Sequence, residues 1–490
     1  MKDLSEQAIG RFLRVLEKHE LNLHSVLIWH KGEIRYEAYR PPYTAAVPHR
    51  MYSVTKSFVS AAVGALSDEG KIGLDDPIIS YFPDKLPKKV SRELKEQTIR
   101  HMLSMQTCFP EIGNWFLPEV RDRTVYYFSR TPVRPAGTLF YYDSNAAQVL
   151  CALVERLSGK PLLNYLREKV LDRLGEFESA EMLLTPDGTS WGDSGLLCTP
   201  RALLRFAQFV MQKGAWNGEQ LISRAYLEQA VSRQAETCMT ATDQYEDSGY
   251  GYQIWMTERN GFAFFGAGGQ AAICIPEQEL ILVTTGDLQN DSLRLNDLLY
   301  RAFFSELVDP FYEERAEPPL FSDSLWMTAA RGKPWSLLAE KIDGAVFDCL
   351  PNEMGISRFS LHFSDRICSF RYENGQGEKE LLFGMKQNVS GFFPQLGCSD
   401  TYGNVHEINS FRYRCEASAG WLSDRCLEIL VRITDRYHGI LVITVGFNGE
   451  DKVGIRMMKF MEDNLNEYQG MLGAYRAPSS VRPGEKEGKE

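Results

Sequence analysis

Residues 51–83 read Met51-Tyr-Ser-Val-Thr-Lys-Ser-Phe58, then VSAAVGALSDEGKIGLDDPIISYFP to Pro83. Within residues 54–68, Phe58, Ala61, Ala62, Ala65 and Leu66 share one face, which predicts a helix ending near Gly70. Ser53 stands at its start and Lys56 one turn later on the same face. A hydroxyl is a poor nucleophile until a base takes its proton. A lysine amine between a helix and a sheet can be that base once desolvation and nearby cations bring its pKa toward neutrality. The N-terminus of a helix also favours negative charge on the serine oxygen. Ser53 is the only serine in the chain with a lysine three residues later. Taken alone, such a tetrapeptide fits a bland helix start with a surface lysine better than it fits catalysis.

Working outward, Ser25-Val-Leu-Ile-Trp-His30 and Glu33-Ile-Arg-Tyr-Glu-Ala-Tyr39 read as paired strands around a Lys31-Gly32 turn, behind an amphipathic N-terminal helix. Asn145 to Leu157 is helical and stops at Gly159. Thr199-Pro200 opens another helix, with Thr as cap, Pro at the first position and Leu203, Phe206, Ala207 and Val210 as its apolar stripe. Strands return at 251–256, 272–275 and 280–285, the last two joined by a turn at Pro276-Glu277. Strands at both ends of a helical middle predict a mixed α/β domain whose terminal strands share one antiparallel sheet. The charged, proline-bearing residues 313–320 read as a linker. Beyond them, runs such as 359–363, 367–372, 427–433 and 439–445 alternate or are rich in β-formers. The expected organisation is thus a domain over 1–312, a linker over 313–320, a mostly antiparallel β domain over 321–476 and a disordered tail over 477–490.

With 490 residues, 44% hydrophobic and 24% charged, the chain is long enough for more than one core. A net charge of −11 without a basic block argues against a nucleic-acid partner, because phosphate neutralisation needs clustered Lys and Arg. The N-terminus lacks the apolar stretch of a signal peptide, and no uncharged apolar run approaches the ~20 residues that span a bilayer. A cytoplasmic protein without a membrane partner is expected. Ten scattered cysteines without a C-x-x-C pair read as reduced thiols, and eight dispersed histidines give no metal-ligand spacing. No metal or other cofactor is expected, and the oligomeric state is open.

The neighbours of Ser53 change the weighing of the tetrapeptide. Residues 51–83 resemble the nucleophile helix and following loop of the serine β-lactamase and penicillin-binding-protein superfamily, most closely its class C β-lactamase-like esterases and aminohexanoate-oligomer hydrolases. Thr98-Ile-Arg-His-Met-Leu-Ser-Met105 resembles the next helix, with Met105 where many members carry His. Gly137-Thr-Leu-Phe-Tyr-Tyr-Asp-Ser-Asn145 resembles the second motif, with Tyr142 as its tyrosine and Ser144 in its third position. Residues 195–207 and 249–255 resemble further landmarks in the right order. The resemblance covers residues ~22–305 and implies a β-lactamase-like transpeptidase fold, with an antiparallel sheet and a helical subdomain.

That resemblance places Tyr142 beside Ser53 and Lys56. There, as a phenolate or sharing a proton with Lys56, it could help deprotonate Ser53 and then protonate the leaving group. Packing is the other reading of Tyr142 and the preferred one for Tyr141. Phe264-Phe-Gly-Ala-Gly-Gly-Gln270 resembles the third motif, with Phe264, Phe265 and Gly266 on the family's Lys-Thr-Gly. The backbone N–H groups of Ala267 and Ser53 would then form an oxyanion hole, and Ser144, Phe264, Phe265, Gly266 and Gly268 would meet substrate. A plain glycine-rich hairpin turn is the alternative. Phe264 cannot clamp a carboxylate as the family's cation does, which argues for neutral, partly apolar esters or amides. Trp115, Phe116, Tyr126 and Tyr127 are candidates for lining such a pocket or for plain core. His101 and Asp75-Asp76 read as structural. The expected activity is hydrolysis of a small ester or amide through an acyl-Ser53 intermediate. A β-lactamase or D,D-peptidase is the alternative within enzymes, and a non-catalytic sensor on the same fold the alternative outside them.

Overall fold

The computed structural model describes residues 4–19, 21, 23–39, 43–109, 120–185, 187–237, 248–286, 292–311, 329–394, 412, 414–434, 438–460 and 468–478. They form two compact units. One comprises Met1–Pro132 and Phe140–Leu325, the other Val133–Leu139 and Trp326–Glu490. The cut differs from the one expected near 313, because a seven-residue segment of the helical middle belongs to the second unit. The expected linker 313–320 and the tail from 479 onward lie outside the described residues.

The first unit is built on β1 (Leu23–His30), β2 (Glu33–Tyr39), β3 (Trp255–Met256), β4 (Phe262–Gly266), β5 (Gln270–Ile275) and β6 (Leu280–Gly286). Their order is β2-β1-β6-β5-β4-β3, antiparallel throughout. As the sequence pattern predicts, the terminal strands meet: Val26 faces Thr284 and Trp29 faces Ile281. The strand expected over 251–256 shrinks to Trp255–Met256. Gln253 has φ +57°, and its amide donates to the Met102 and Leu103 carbonyls, so a tertiary anchor takes the place of a sheet ladder there.

Helices of this unit include α1 (Glu6–Lys18), α2 (Thr55–Asp68), α3 (Ser144–Ser158), α4 (Pro200–Met211) and α5 (Ser292–Phe303). α1 and α5 lie on one face of the sheet and α4 on the other. On one face Val26, Ile28, Ile273 and Leu282 bury against Phe12 of α1 and Phe303 of α5. On the other, Phe264 of β4, which also meets Phe262, packs on Phe206 of α4, and Phe206 in turn stacks on Phe58 of α2 at 3.7 Å and 14°. α2 is thereby joined to the sheet through Phe206 of α4. Local signals behave as read: Thr199 caps α4, Gly159 ends α3 in the left-handed region, and His101 closes a capping box with Thr98. Asp75 pairs with Arg100, while Asp76 accepts from the Gly73 N–H, so both serve the loop.

The second unit carries β7 (Val346–Cys349), β8 (Arg358–His362), β9 (Cys368–Asn374), β10 (Gly377–Met385), β11 (Val389–Phe392), β12 (Arg414–Ser423), β13 (Cys426–Thr434), β14 (His438–Asn448), β15 (Lys452–Phe460) and β16 (Gly470–Arg476). Among the described residues they form one ten-stranded sheet, β10-β9-β8-β7-β16-β15-β14-β13-β12-β11. A parallel pairing of Gly384 and Met385 in β10 with Ser418 and Ala419 in β12 brings the two ends of the sheet together, while β11 pairs with β12 alone. Its core includes Phe347, Phe370, Trp421, Leu441 and Ile455. Ala477, the first residue of the expected tail, still donates to the Val346 carbonyl. No helix among the described residues is long and apolar enough to cross a membrane.

Candidate active site

Ser53 lies in a 3-10 turn, Tyr52–Val54, that feeds directly into α2, so the helix proper begins two residues later than the sequence suggests. The turn is held on both sides. His49–Arg50 pairs with Leu197–Cys198, and the Met51 N–H donates to the Leu196 carbonyl at 2.8 Å. Tyr52 sits at φ +46°, a conformation costly for a bulky side chain and retained here immediately before Ser53.

Lys56 is 1% exposed. Its Nζ lies 2.9 Å from Ser53 Oγ and 2.7 Å from the Asp193 carbonyl oxygen, to which it donates. The Tyr142 ring centroid is 5.1 Å from the same nitrogen. An amine so placed is within reach of the Ser53 proton, and the Asp193 carbonyl fixes the direction of its remaining N–H. Asp193 also brings a buried carboxyl. Burial pushes it up to about 6, against the pull of Lys56 and of Arg123, whose Nη1 is 4.0 Å from Oδ1.

Tyr142 is oriented by aromatic packing. It stacks on Trp255 at 5.6 Å and 15° and meets Tyr250 edge-on at 6.4 Å. Met105, Phe140, Ala235, Tyr250 and Trp255 form the small core on which Tyr142 and Phe265 both rest. Burial drives the Tyr250 phenol well above its usual range, so the phenol packed against Tyr142 stays neutral. The backbone around Tyr142 is tied to Met105, with the Tyr141 N–H on the Met105 carbonyl at 3.0 Å and the Asp143 N–H on its sulfur at 3.4 Å. Asp143 caps α3 and pairs with Arg130 at 3.3 Å.

The third expected motif ends β4 and forms the turn after it. A Cβ on Gly266 would lie 2.3 Å from the Met51 carbonyl oxygen, so the strand approaches the Ser53 turn as closely as a glycine allows. Ala267 is exposed in that turn, and Gly268 and Gly269 follow at φ +84° and +88°. Gln270 locks it by donating to the Ala267 and Gly286 carbonyls and accepting from the Gly286 N–H. Gly266 thus meets the Ser53 turn, and Phe265 joins Tyr142. Ser144 is buried in the first turn of α3. One aromatic expectation is corrected, and one alternative left open by the sequence is decided. Phe264 is 1% exposed and points at Phe206, because strand alternation turns it to the opposite face from Phe265. Tyr127 is buried with its hydroxyl accepting from Gln97, and is core. Tyr126 is half-buried on the helix Arg123–Ser129. Trp115 and Phe116 lie outside the described residues.

Sequence reasoning misses Asp193 as a partner of Lys56. Its contribution is a backbone carbonyl, which any residue type could supply. The available signal is its flanking glycines: a Cβ on Gly192 would fall 2.2 Å from that of Cys151, and one on Gly195 2.6 Å from that of Trp191.

The comparison with protein families decides what this arrangement belongs to: the family model described as Beta-lactamase matches residues 16–297. The chain belongs to the beta-lactamase family. Within it the protein is a serine hydrolase. This beta-lactamase-family chain is similar to the 6-aminohexanoate-dimer hydrolase of Paenarthrobacter ureafaciens, with 26% identity over 277 residues, covering 52% of this chain and 70% of the relative. Two solved structures match nearly its full length. The octameric penicillin-binding protein homologue from Pyrococcus abyssi has 17% identity, covers 95% of this chain and 99% of its own, and gives a TM-score of 0.50. SurE, solved with D-Leu, has 14% identity, covers 96% and 99%, and gives 0.53. At these identities the likeness is one of fold, and it extends over the C-terminal β unit.

Proposed function

We propose that this beta-lactamase-family protein hydrolyses a small, neutral ester or amide through an acyl-Ser53 intermediate. The observation that carries the reading is the buried Lys56 amine 2.9 Å from Ser53 Oγ. Ser53 Oγ attacks the substrate carbonyl carbon while its proton passes to Lys56 Nζ in the neutral amine form. The carbonyl π pair moves to oxygen, and the N–H groups of Ser53 and Ala267 receive that anion. Removing one such donor typically costs ~3 kcal/mol in the transition state. Collapse breaks the bond to the alcohol or amine, which leaves with a proton from the Lys56–Tyr142 pair. Water then attacks the acyl carbon, gives its proton back along the same route, and releases the acid and free Ser53.

Two features support neutral substrates, and a third supports amide cleavage. Phe264, on the motif position where the family carries a cation, is turned into the core. Phe265 and Tyr142 present partly buried rings beside the turn. The relative named for 6-aminohexanoate-dimer hydrolysis supports amide cleavage within this family. Hydrolysis of p-nitrophenyl acetate and of linear amides tests the reading. Ser53→Ala is expected to remove essentially all turnover, and Tyr142→Phe to lower kcat by ~100-fold or more while the protein stays folded. Equal rates for wild type and Ser53→Ala would refute it.

A further inference from the structure

Val133–Leu139 belong to the β unit, although the residues on both sides of them belong to the hydrolase unit. What receives this strap is a row of glycines. Gly446 of β14 faces Gly454 of β15, and Gly454 faces Gly473 of β16. Their strand neighbours Val445, Val453, Ile455 and Leu472 point into the core of the β unit. Strand alternation therefore turns the three glycines to the other side of the sheet. There a Cβ on Gly473 would fall 1.8 Å from Arg134 Cα, one on Gly446 2.4 Å from the Thr138 carbonyl oxygen, and one on Gly454 2.5 Å from Thr138 Oγ1. Glycine inside a strand weakens it and commonly marks a close backbone approach. Here three stand side by side and form a slot that the strap fills.

Polar contacts fasten it. Arg134 is fully buried and donates from Nη1 to Met471 Sδ at 2.7 Å. Asn448 Nδ2 donates to the Ala136 carbonyl at 3.4 Å. Inside the strap, Thr138 Oγ1 donates to the Pro135 carbonyl at 2.7 Å. The chain then runs without a break from Leu139 into Phe140, Tyr141 and Tyr142.

We propose that the C-terminal β unit positions Tyr142 by gripping the Val133–Leu139 strap in its glycine slot. The proposal rests on the reading of Tyr142 as a proton-transfer group. The slot fixes one end of a short peptide whose other end is the stacked ring beside Lys56, with Leu139 and Tyr142 only three positions apart in the chain. A shift of about 1 Å in a catalytic group can cost on the order of 100-fold in rate, so the grip matters for turnover as well as for packing.

The test uses full-length protein and a double-mutant comparison, with kcat and KM measured on p-nitrophenyl acetate. Gly473→Ala puts a methyl against strap backbone, and Gly454→Ala puts one against the side chains of Thr138 and Leu139. Gly391→Ala, on β11 with open space around its Cβ, is the control and leaves kcat unchanged. In folded protein, Gly473→Ala is expected to lower kcat by ~10-fold or more with KM little changed, and to cost nothing further when Tyr142 is already Phe. If Gly473→Ala does not fold, Gly454→Ala carries the same comparison with a smaller loss. The same fractional loss in the Tyr142 and Tyr142→Phe backgrounds, or no loss in folded variants, would overturn the positioning role. Undiminished kcat in Tyr142→Phe itself would instead contradict the catalytic reading on which it rests.

Discussion

The Ser53–Lys56 pair is legible in the sequence because three-residue spacing at a helix start is a local property, and local geometry survives whatever surrounds it. Its electrostatic setting is not. The Asp193 carboxyl reaches the site from a loop about 140 positions away, and its carboxyl is pushed up to about 6 by burial. A carboxyl whose native pKa exceeds its unfolded value of ~3.9 binds its proton more tightly when folded, so folding stability falls as pH rises from about 4 through about 6. At ~1.4 kcal/mol per unit this amounts to roughly 3 kcal/mol across that window. Asp193→Asn is therefore expected to flatten the pH dependence of stability between pH 4 and 7, read from denaturant midpoints, whatever it does to absolute stability. An unchanged slope would place the titration elsewhere. The aromatic residues divide by strand parity: Phe264 and Phe265 look equivalent as letters, yet one is core and the other joins Tyr142.

At the level of elements, the periodic helices and the β1–β6 pairing are legible because hydrophobic patterning and caps specify them locally. The segment expected as a strand over 251–256 is not, since its backbone is set by Gln253 anchoring to Met102 and Leu103 rather than by β propensity. β4 illustrates how an element serves the site. Its last residue, Gly266, leaves no room for a side chain against the Met51 carbonyl. Gly266→Ala is expected to push the strand end off the nucleophile turn, lowering kcat/KM by ~10-fold or more and stability by ~1–3 kcal/mol. Retained kcat/KM with unchanged melting would mean that the turn and the strand move independently of one another.

Over the whole molecule, composition and the change of pattern after residue 320 make a second, β-rich unit legible, but the strap is invisible in sequence. The residues that receive it, Gly446, Gly454 and Gly473, stand more than 300 positions away, and nothing local to 133–139 announces them. The meeting of the β sheet's two ends and the near full-length likeness to two solved structures make that unit a regular part of the fold. A single activated hydroxyl is tested by exposing the 490-residue chain to a fluorophosphonate and measuring its mass with peptide mapping. Attack by Ser53 Oγ at phosphorus with loss of fluoride predicts a single adduct on the peptide containing Ser53, and none on Ser53→Ala. Folded wild type that stays unlabelled, or a Ser53→Ala variant labelled to the same extent, would mean that Ser53 is not the activated hydroxyl.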